Sequence, residues 1–188
     1  CLVGSEMCIR DRAAIDRLTD RNEKLQTSIE DLTDTIKASK GTKSVEAYRD
    51  AYKYQKETNA NYLQIAKEQA RYSGSHHSWN YYWGGFNQAQ IDKLSGQIGR
   101  QWDGNLWSLS PEEMKALRSN VDMWTQIQNT GKGGYGGRLT EKLDDYIDQA
   151  GKLEELTDQL YEGLTGISFD GMYSSFIDNL MNMKYGAK

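Results

Sequence analysis

The stretch IDRLTDRNEKLQTSIEDLTDTI, residues 15–36, carries the strongest periodic pattern in the chain. Its apolar residues recur at alternating steps of three and four, which is the pattern of a heptad repeat. β-branched residues occupy position a, with one asparagine among them, and leucines occupy position d. We predict that this seam forms a helix-pairing interface, made of Ile15, Leu18, Asn22, Leu25, Ile29, Leu32 and Ile36.

The residue types in the seam also predict how it pairs. β-branched residues at a with leucine at d favour two parallel helices, and a buried asparagine at a fixes register and oligomeric state. Self-association through a coiled coil is therefore expected. The alternative is a surface helix packed within its own domain, because only about three heptads are visible.

A second helical segment follows the seam. The stretch SKGTKS, residues 39–44, interrupts the first helix, and helical spacing then resumes through Val45, Tyr48, Tyr52, Tyr62, Ile65 and Tyr72. An antiparallel coiled-coil hairpin over residues 13–73 is the simplest interpretation, and a continuous rod with a local break is its rival. We expect these two long helices to make few contacts with the segment from residue 106 onward.

Residues 1–12, CLVGSEMCIRDR, match neither a signal peptide nor the helical pattern that follows. They resemble translated sequencing-adapter read-through of the kind found at the ends of assembled metagenomic fragments. Both cysteines of the chain, Cys1 and Cys8, fall inside this stretch. We therefore expect a non-native segment at 1–12, no disulfide framework or thiol chemistry elsewhere, and a longer parent protein from which residues 13–188 derive.

Residues 74–110 are predicted to form an aromatic and glycine-rich connector with one short helix around Ile91, Leu94 and Ile98. His76 and His77 are the only histidines, and adjacent side chains point apart, so they do not readily chelate one metal. We expect the surrounding aromatic residues to cap the end of a helical bundle. Asp103 and Gly104 predict either a small hairpin or an ordered turn.

Residues 111–188 are predicted to be a helical segment. Ser110, Pro111 and Glu113 have the spacing of a capped helix start, with Leu109 and Met114 as a hydrophobic staple. This helix is expected to continue through Leu117, Val121, Trp124 and Ile127.

The glycine-rich run GKGGYGG, residues 131–137, follows that helix. It lacks the preceding strand that a dinucleotide-binding loop needs, so we interpret it as a flexible hinge. A long amphipathic helix follows from Leu139. We expect its carboxylates, Asp144, Asp145, Asp148, Glu154 and Glu155, to form a solvated face without facing partners. A further apolar stripe is predicted at Met172, Phe176, Leu180 and Met183.

Composition argues against several functional classes. The chain has 188 residues, 37% of them hydrophobic and 27% charged, with a net charge of −4. Its acids and bases are interspersed, so direct nucleic-acid binding is not expected. No apolar run approaches the roughly 20 residues that cross a bilayer, although the parent protein could carry such a segment elsewhere. The residues assemble no catalytic, cofactor or metal motif, so we expect a non-enzymatic protein without cofactors. The expected fold is all-α: an extended helical hairpin or coiled coil, then helices separated by glycine- and tryptophan-rich breaks.

One family resemblance covers most of residues 44–183. The order of SLSPEEMKAL (108–117), a glycine-rich break, a long acidic helix and LTGISFDGMYSSFIDNLMNM (164–183) resembles phage tail tape-measure proteins, especially those of Bacteroidales prophages. The resemblance implies a structural virion protein that sets tail length inside the tail tube and leaves the tail during genome ejection. It implies tail tube, tail tip and tail assembly chaperone proteins as partners, and residence in the bacterial cytoplasm during assembly. The alternative is a general coiled-coil scaffold or chromosome-organising protein, which the seam at 15–36 would support.

Overall fold

The structure is a computed structural model that describes residues 3–38, 42–73, 85–130 and 134–164, with side chains over 12–38, 43–70, 85–130 and 134–159. The regular elements in these ranges are all helical, which confirms the all-α prediction. They are α1 (Val3–Ala38), α2 (Thr42–Ser73), α3 (Gln88–Ile98), a 3₁₀ turn (Leu106–Ser108), α4 (Pro111–Ser119), α5 (Val121–Gln128) and α6 (Tyr135–Leu164).

The two N-terminal helices pack against each other in opposite directions. Asn22, in the middle of α1, bonds to Asn61 of α2, while Ala14 near the start of α1 shares a cavity with Glu68 near the end of α2. The helices therefore form an antiparallel hairpin, as the simpler interpretation predicted, and not a continuous rod. The helical backbone of α1 begins at Val3, so it covers most of the segment that we expected to depart from the helical pattern.

Helix α2 lies between α1 and α6 and packs extensively on both. The prediction that residues 13–73 make few contacts with the segment from 106 onward is therefore wrong. Two features that apolar periodicity does not reveal explain the contact. Ala66 and Ala70 are fully buried, and their small side chains let neighbouring helices approach closely. Gln55 also forms a buried hydrogen bond to Gln149 of α6.

The main hydrophobic core lies on the α6 side of α2. Trp102 is 1% exposed, and the centroid of its ring lies 5.3 Å from the ring centroid of Phe86. Residues from α3 onward supply most of this core, so the described part of the glycine- and tryptophan-rich stretch, residues 85–110, folds as part of it. Its buried members are Ala66, Ala70, Leu94, Trp102, Leu106, Leu109, Met114, Leu117, Met123, Trp124, Ile127, Leu139, Leu143, Tyr146 and Ile147.

The region around Asp103 and Gly104 is an ordered turn. Gly104 has a φ of 84°, which favours glycine, and the Asp103 carboxylate accepts a hydrogen bond of 2.9 Å from the Asn105 amide. The Trp102 indole donates to the Asn105 carbonyl oxygen at 2.9 Å, which holds the ring in the core. Of the two predicted alternatives, the structure therefore has the turn and not the hairpin.

Helix α4 begins as the sequence predicted. The Glu113 amide donates to the Ser110 hydroxyl at 3.2 Å, and the Ser110 amide donates back to the Glu113 carboxylate at 2.8 Å. Pro111 occupies the first helical turn, and the two staple residues, Leu109 and Met114, are buried. This reciprocal cap satisfies backbone donors that a helix start otherwise leaves unpaired.

The prediction of one continuous helix through Val121 is wrong, because the helix is interrupted at Asn120. This residue has φ −86° and ψ 89°, outside the helical region. Its side-chain amide donates to the Ala116 carbonyl oxygen at 2.9 Å and to the Gln97 side chain at 2.6 Å, which stabilises the break. Val121, expected on the buried face, is 72% exposed, whereas Trp124 of α5 is buried.

The glycine-rich run is only partly a connection between helices. Tyr135, Gly136 and Gly137 already belong to α6, and a Cβ atom on Gly136 would overlap the carbonyl oxygens of Ile127 and Gln128. The Gly136 amide donates to the Thr130 carbonyl oxygen at 3.0 Å. The described part of the predicted hinge is thus a tightly packed corner, and residues 131–133 lie outside the described residues. His76, His77, most of their aromatic neighbours and the apolar stripe at 172–183 also lie outside them.

Candidate helix-pairing interface

The seven seam residues share the face of α1 that packs on α2. Asn22 is 1% exposed, whereas the six apolar members are half-buried. This difference follows from the architecture, since α2 is the helix with which α1 makes extensive contact in the described chain. One neighbouring helix covers only the centre of a seam, so the flanks of each isoleucine and leucine remain accessible.

Asn22 is the centre of a polar contact between the two helices. Its side-chain oxygen accepts a hydrogen bond of 2.9 Å from Asn61, and its side-chain nitrogen donates to the Thr58 carbonyl oxygen at 3.5 Å. One turn away, Gln26 donates to the Tyr62 hydroxyl at 3.3 Å. Because these partners are specific in position, a sliding of α1 along α2 would leave a buried amide without them.

A charged pair flanks this polar contact. Arg21 forms an ion pair with Glu57, with the arginine side chain 63% exposed and the glutamate 30% exposed. Pairs this accessible to water contribute little net stability. The ion pair therefore supports the register of the hairpin more than its strength.

The α2 side of the interface was predicted only in part from the sequence. Val45 and Ile65, on the predicted helical spacing, are 2% and 1% exposed, whereas the tyrosines at 48, 52 and 62 are half-buried, and burial raises the pKa of Tyr52. The other buried positions of α2 include alanines and polar residues, such as Thr58 at 0% exposed and Gln55 at 4%. Such residues produce no apolar periodicity, so a hydrophobic pattern search passes over them.

The polar contact extends across α2 to α6. Gln55 donates to the Gln149 side-chain oxygen at 2.9 Å, and both residues are buried. Gln55 and Thr58 are three positions apart, so they lie on adjacent parts of the α2 surface at one level of the bundle. The Asn22–Asn61 pair lies between α1 and α2, and the Gln55–Gln149 pair lies between α2 and α6; we call the two pairs together the polar layer.

An ion-pair network joins α4 to α6. Arg118 contacts the carboxylates of Asp144 and Asp148, each at 3.1 Å. Burial acts to lower the pKa of Arg118, but its hydrogen bonds to the two carboxylates outweigh this effect and raise the pKa. The prediction that these carboxylates have no facing partner is therefore wrong for Asp144 and Asp148. Arg118 is separated from them by 26 and 30 residues, which a helical-face argument does not connect.

These polar groups connect helices. Within residues 12–38, 43–70, 85–130 and 134–159, no three His, Cys, Asp or Glu side chains are grouped so that they could hold a metal ion. None of the helices in the described ranges combines the length and apolar character that spanning a membrane requires. The arrangement is suited to fixing helix register.

No protein-family model, curated protein or solved structure matches this chain. The features of this chain that bear on function are the order of sequence elements over 44–183 and the three-helix packing with its polar layer.

Proposed function

We propose that this chain is a structural segment of a phage tail tape-measure protein, which contributes to tail length inside the tail tube and leaves with the rest of the protein during genome ejection. The observation that carries the proposal is the resemblance of this chain's sequence motifs, and of their order, to those of tape-measure proteins. This resemblance is strongest over residues 106–183. In the structure, the described part of that region comprises α4, α5 and α6. They form one packed unit with α2.

The contacts of this unit support a structural function. Two of its polar contacts, the ion pairs of Arg118 with Asp144 and Asp148 and the hydrogen bond of Gln55 with Gln149, each join two helices. Such contacts define relative helix positions, which a protein that determines a length must maintain.

The folded form changes what this segment contributes to a ruler. A helix rises about 1.5 Å per residue, so the 32 residues of α2, the longest helix that lies wholly within residues 13–164, span about 48 Å. The chain from 13 to 164 in one continuous helix would span about 230 Å. The folded and the extended forms therefore predict tail contributions that differ about fivefold.

An in-frame deletion of residues 13–164 from the parent protein tests the proposal. Electron micrographs of the resulting virions should show tails shortened by about 48 Å if the segment keeps its fold, or by about 230 Å if it is extended in the tail. A matched control replaces the segment with an unrelated helical sequence that spans the axial distance lost in the deletion. This replacement should largely restore the tail length. Assembled tails of unchanged length after the deletion would contradict the ruler function of this segment.

The second candidate is a coiled-coil scaffold or chromosome-organising protein, favoured by the seam at 15–36. The genes beside the parent gene distinguish the two proposals. Tail tube and tail tip genes next to it would support the tape-measure proposal. A location away from phage genes, with a chromosome segregation defect on deletion and unaffected tails, would favour the scaffold.

A further inference from the structure

We propose that α1 is an exchangeable arm, which leaves the α2 helix of its own chain and occupies the same position on α2 of a second copy. The product is a domain-swapped dimer in which each α1 keeps its native contacts. This inference is independent of the tail function, because it depends only on how α1 is attached. Four observations carry it.

The first observation is that α1 has a single site of attachment. In the described chain, α2 is the helix on which α1 packs extensively. The residues of the main core all lie between 62 and 147, so α1 contributes none of them. Removing α1 therefore leaves the main core intact, whereas removing α2 would take Ala66 and Ala70 from it.

The second observation is that the attachment is shallow and polar. Among the α1 side chains from 12 to 38, Asn22 is the one that is buried, and the apolar seam residues are half-buried. Across from it, Thr58 is 0% exposed, and its hydroxyl has no hydrogen-bond partner among the residues that the structure describes. A buried hydroxyl without a partner is unfavourable, and opening α1 would return it to water.

The third observation is a groove along the boundary between α1 and α2. It is open to solvent, has a volume of about 310 Å³, and is lined by Ala14, Arg17, Leu18, Arg21, Gln64 and Glu68. At this level α2 turns its fully buried residues, Ile65, Ala66 and Ala70, away from solvent within the three-helix packing. Solvent therefore reaches the boundary between the two helices here.

The fourth observation concerns the covalent link. Only residues 39–41 separate Ala38 from Thr42, and one of the three is Gly41. If these residues extend, α1 points away from its own α2 and toward that of a neighbour. Exchange between copies replaces each contact with an identical one, so protein concentration and the length of the connection determine the balance.

Site-specific crosslinking between two differently tagged chains tests the exchange. Both chains carry Cys1→Ser and Cys8→Ser. One also carries Asn22→Cys and the other Asn61→Cys, because the native side chains at these positions are in contact. After the chains are mixed at high concentration, oxidation or a short bismaleimide should yield a heterodimer. A matched pair with exposed Lys24→Cys in place of Asn22→Cys should give several-fold less product.

Two further measurements decide between swapping and other modes of association. Sedimentation of the wild-type chain should show dimers that increase with concentration, and deletion of residues 39–41 should shift the balance toward dimer. Insertion of a flexible Gly-Ser segment at the same place should shift it toward monomer. Wild-type chains that stay monomeric, heterodimer yields equal to the Lys24→Cys control, or crosslinks only between two Asn22→Cys chains would each overturn the proposal. The last result would instead indicate a parallel pairing of two α1 seams.

Discussion

The α1 arm and the body formed by α2 to α6 differ in how the periodicity of apolar residues in the sequence relates to the burial of side chains in the structure. The arm has the clearest heptad repeat in the chain, yet Asn22 is the single buried side chain that it contributes over residues 12–38. The body has irregular spacing, many glycines and short helices, yet it contains fully buried residues such as Leu117 and Leu143. Periodicity therefore indicates which face of a helix packs. The depth of burial depends on how many other elements surround that face.

The difference in burial between arm and body is tested most directly by the same leucine-to-alanine substitution in each. Leu143→Ala in the body should lower the free energy of unfolding by about 2–5 kcal/mol, because it leaves a cavity in a fully enclosed site. Leu25→Ala in the half-buried seam should cost about 1 kcal/mol, in proportion to the smaller area withdrawn from water. Urea unfolding followed by circular dichroism measures both. Equal losses would mean that arm and body are packed to the same depth.

The corner between α5 and α6 provides the next test of body packing. Gly136→Ala places a methyl group against backbone carbonyl oxygens that cannot rotate away, so we expect a loss of about 1–3 kcal/mol. Gly151→Ala is the control, because a Cβ there meets open space within the same helix. It should raise stability by about 0.5–1 kcal/mol through helix propensity. The same unfolding measurement applies, and a neutral Gly136→Ala would show that the corner is loose.

Local signals in the sequence predicted local structure well. The cap of Ser110 and Glu113 was predictable because its partners are three residues apart and its chemistry needs nothing from the rest of the fold. The break at Asn120 was not, because Val121, Trp124 and Ile127 continue a helical spacing across it. The side chain that stabilises the break bonds to Gln97, on a different helix, which no local pattern reveals.

The α1 side of the candidate interface could be predicted from the sequence, and the α2 side only in part. The heptad spacing placed Asn22 at a core position, and the structure buries it. Its partners, Thr58 and Asn61, lie in a stretch without apolar periodicity, and the pair of Gln55 with Gln149 spans 94 residues. Contacts between polar residues that are distant in sequence depend on the relative position of whole helices. The prediction that residues 13–73 make few contacts with the segment from 106 onward was wrong for the same reason.

The polar layer can be tested on the arm alone. Asn22→Ala removes the bond from Asn61 and leaves that amide without its partner, so the arm should lose about 1 kcal/mol of stability. Hydrogen exchange should show faster opening of α1 amides with little change in α5 and α6. Lys24→Ala, at an exposed position on the same helix, is the control. If protection falls equally in the body, the arm does not open independently.

The smallest expected effect concerns the charged pair at the start of α4. Arg100 contacts the Glu113 carboxylate at 2.5 and 2.7 Å, and this hydrogen bonding lowers the pKa of Glu113 below its ordinary value of 4.5. Glu113→Gln keeps an oxygen that accepts from the Ser110 amide but loses the charge. Because the folded-state pKa is the lower one, the stabilisation by the charge is present above the unfolded-state pKa. It is lost as pH falls through the folded-state pKa.

The wild-type chain should therefore be slightly more stable than Glu113→Gln at neutral pH, by the small amount typical of accessible ion pairs. The two should converge in acid, below the ordinary glutamate range. High salt should reduce the difference at neutral pH, because mobile ions screen exposed charges. Paired urea titrations across pH measure this, with Arg100→Gln as a second variant that removes the same interaction from the other side. A difference between wild type and Glu113→Gln that stays constant from neutral pH into acid would show that the carboxylate stabilises α4 through its shape in the cap and not through its charge.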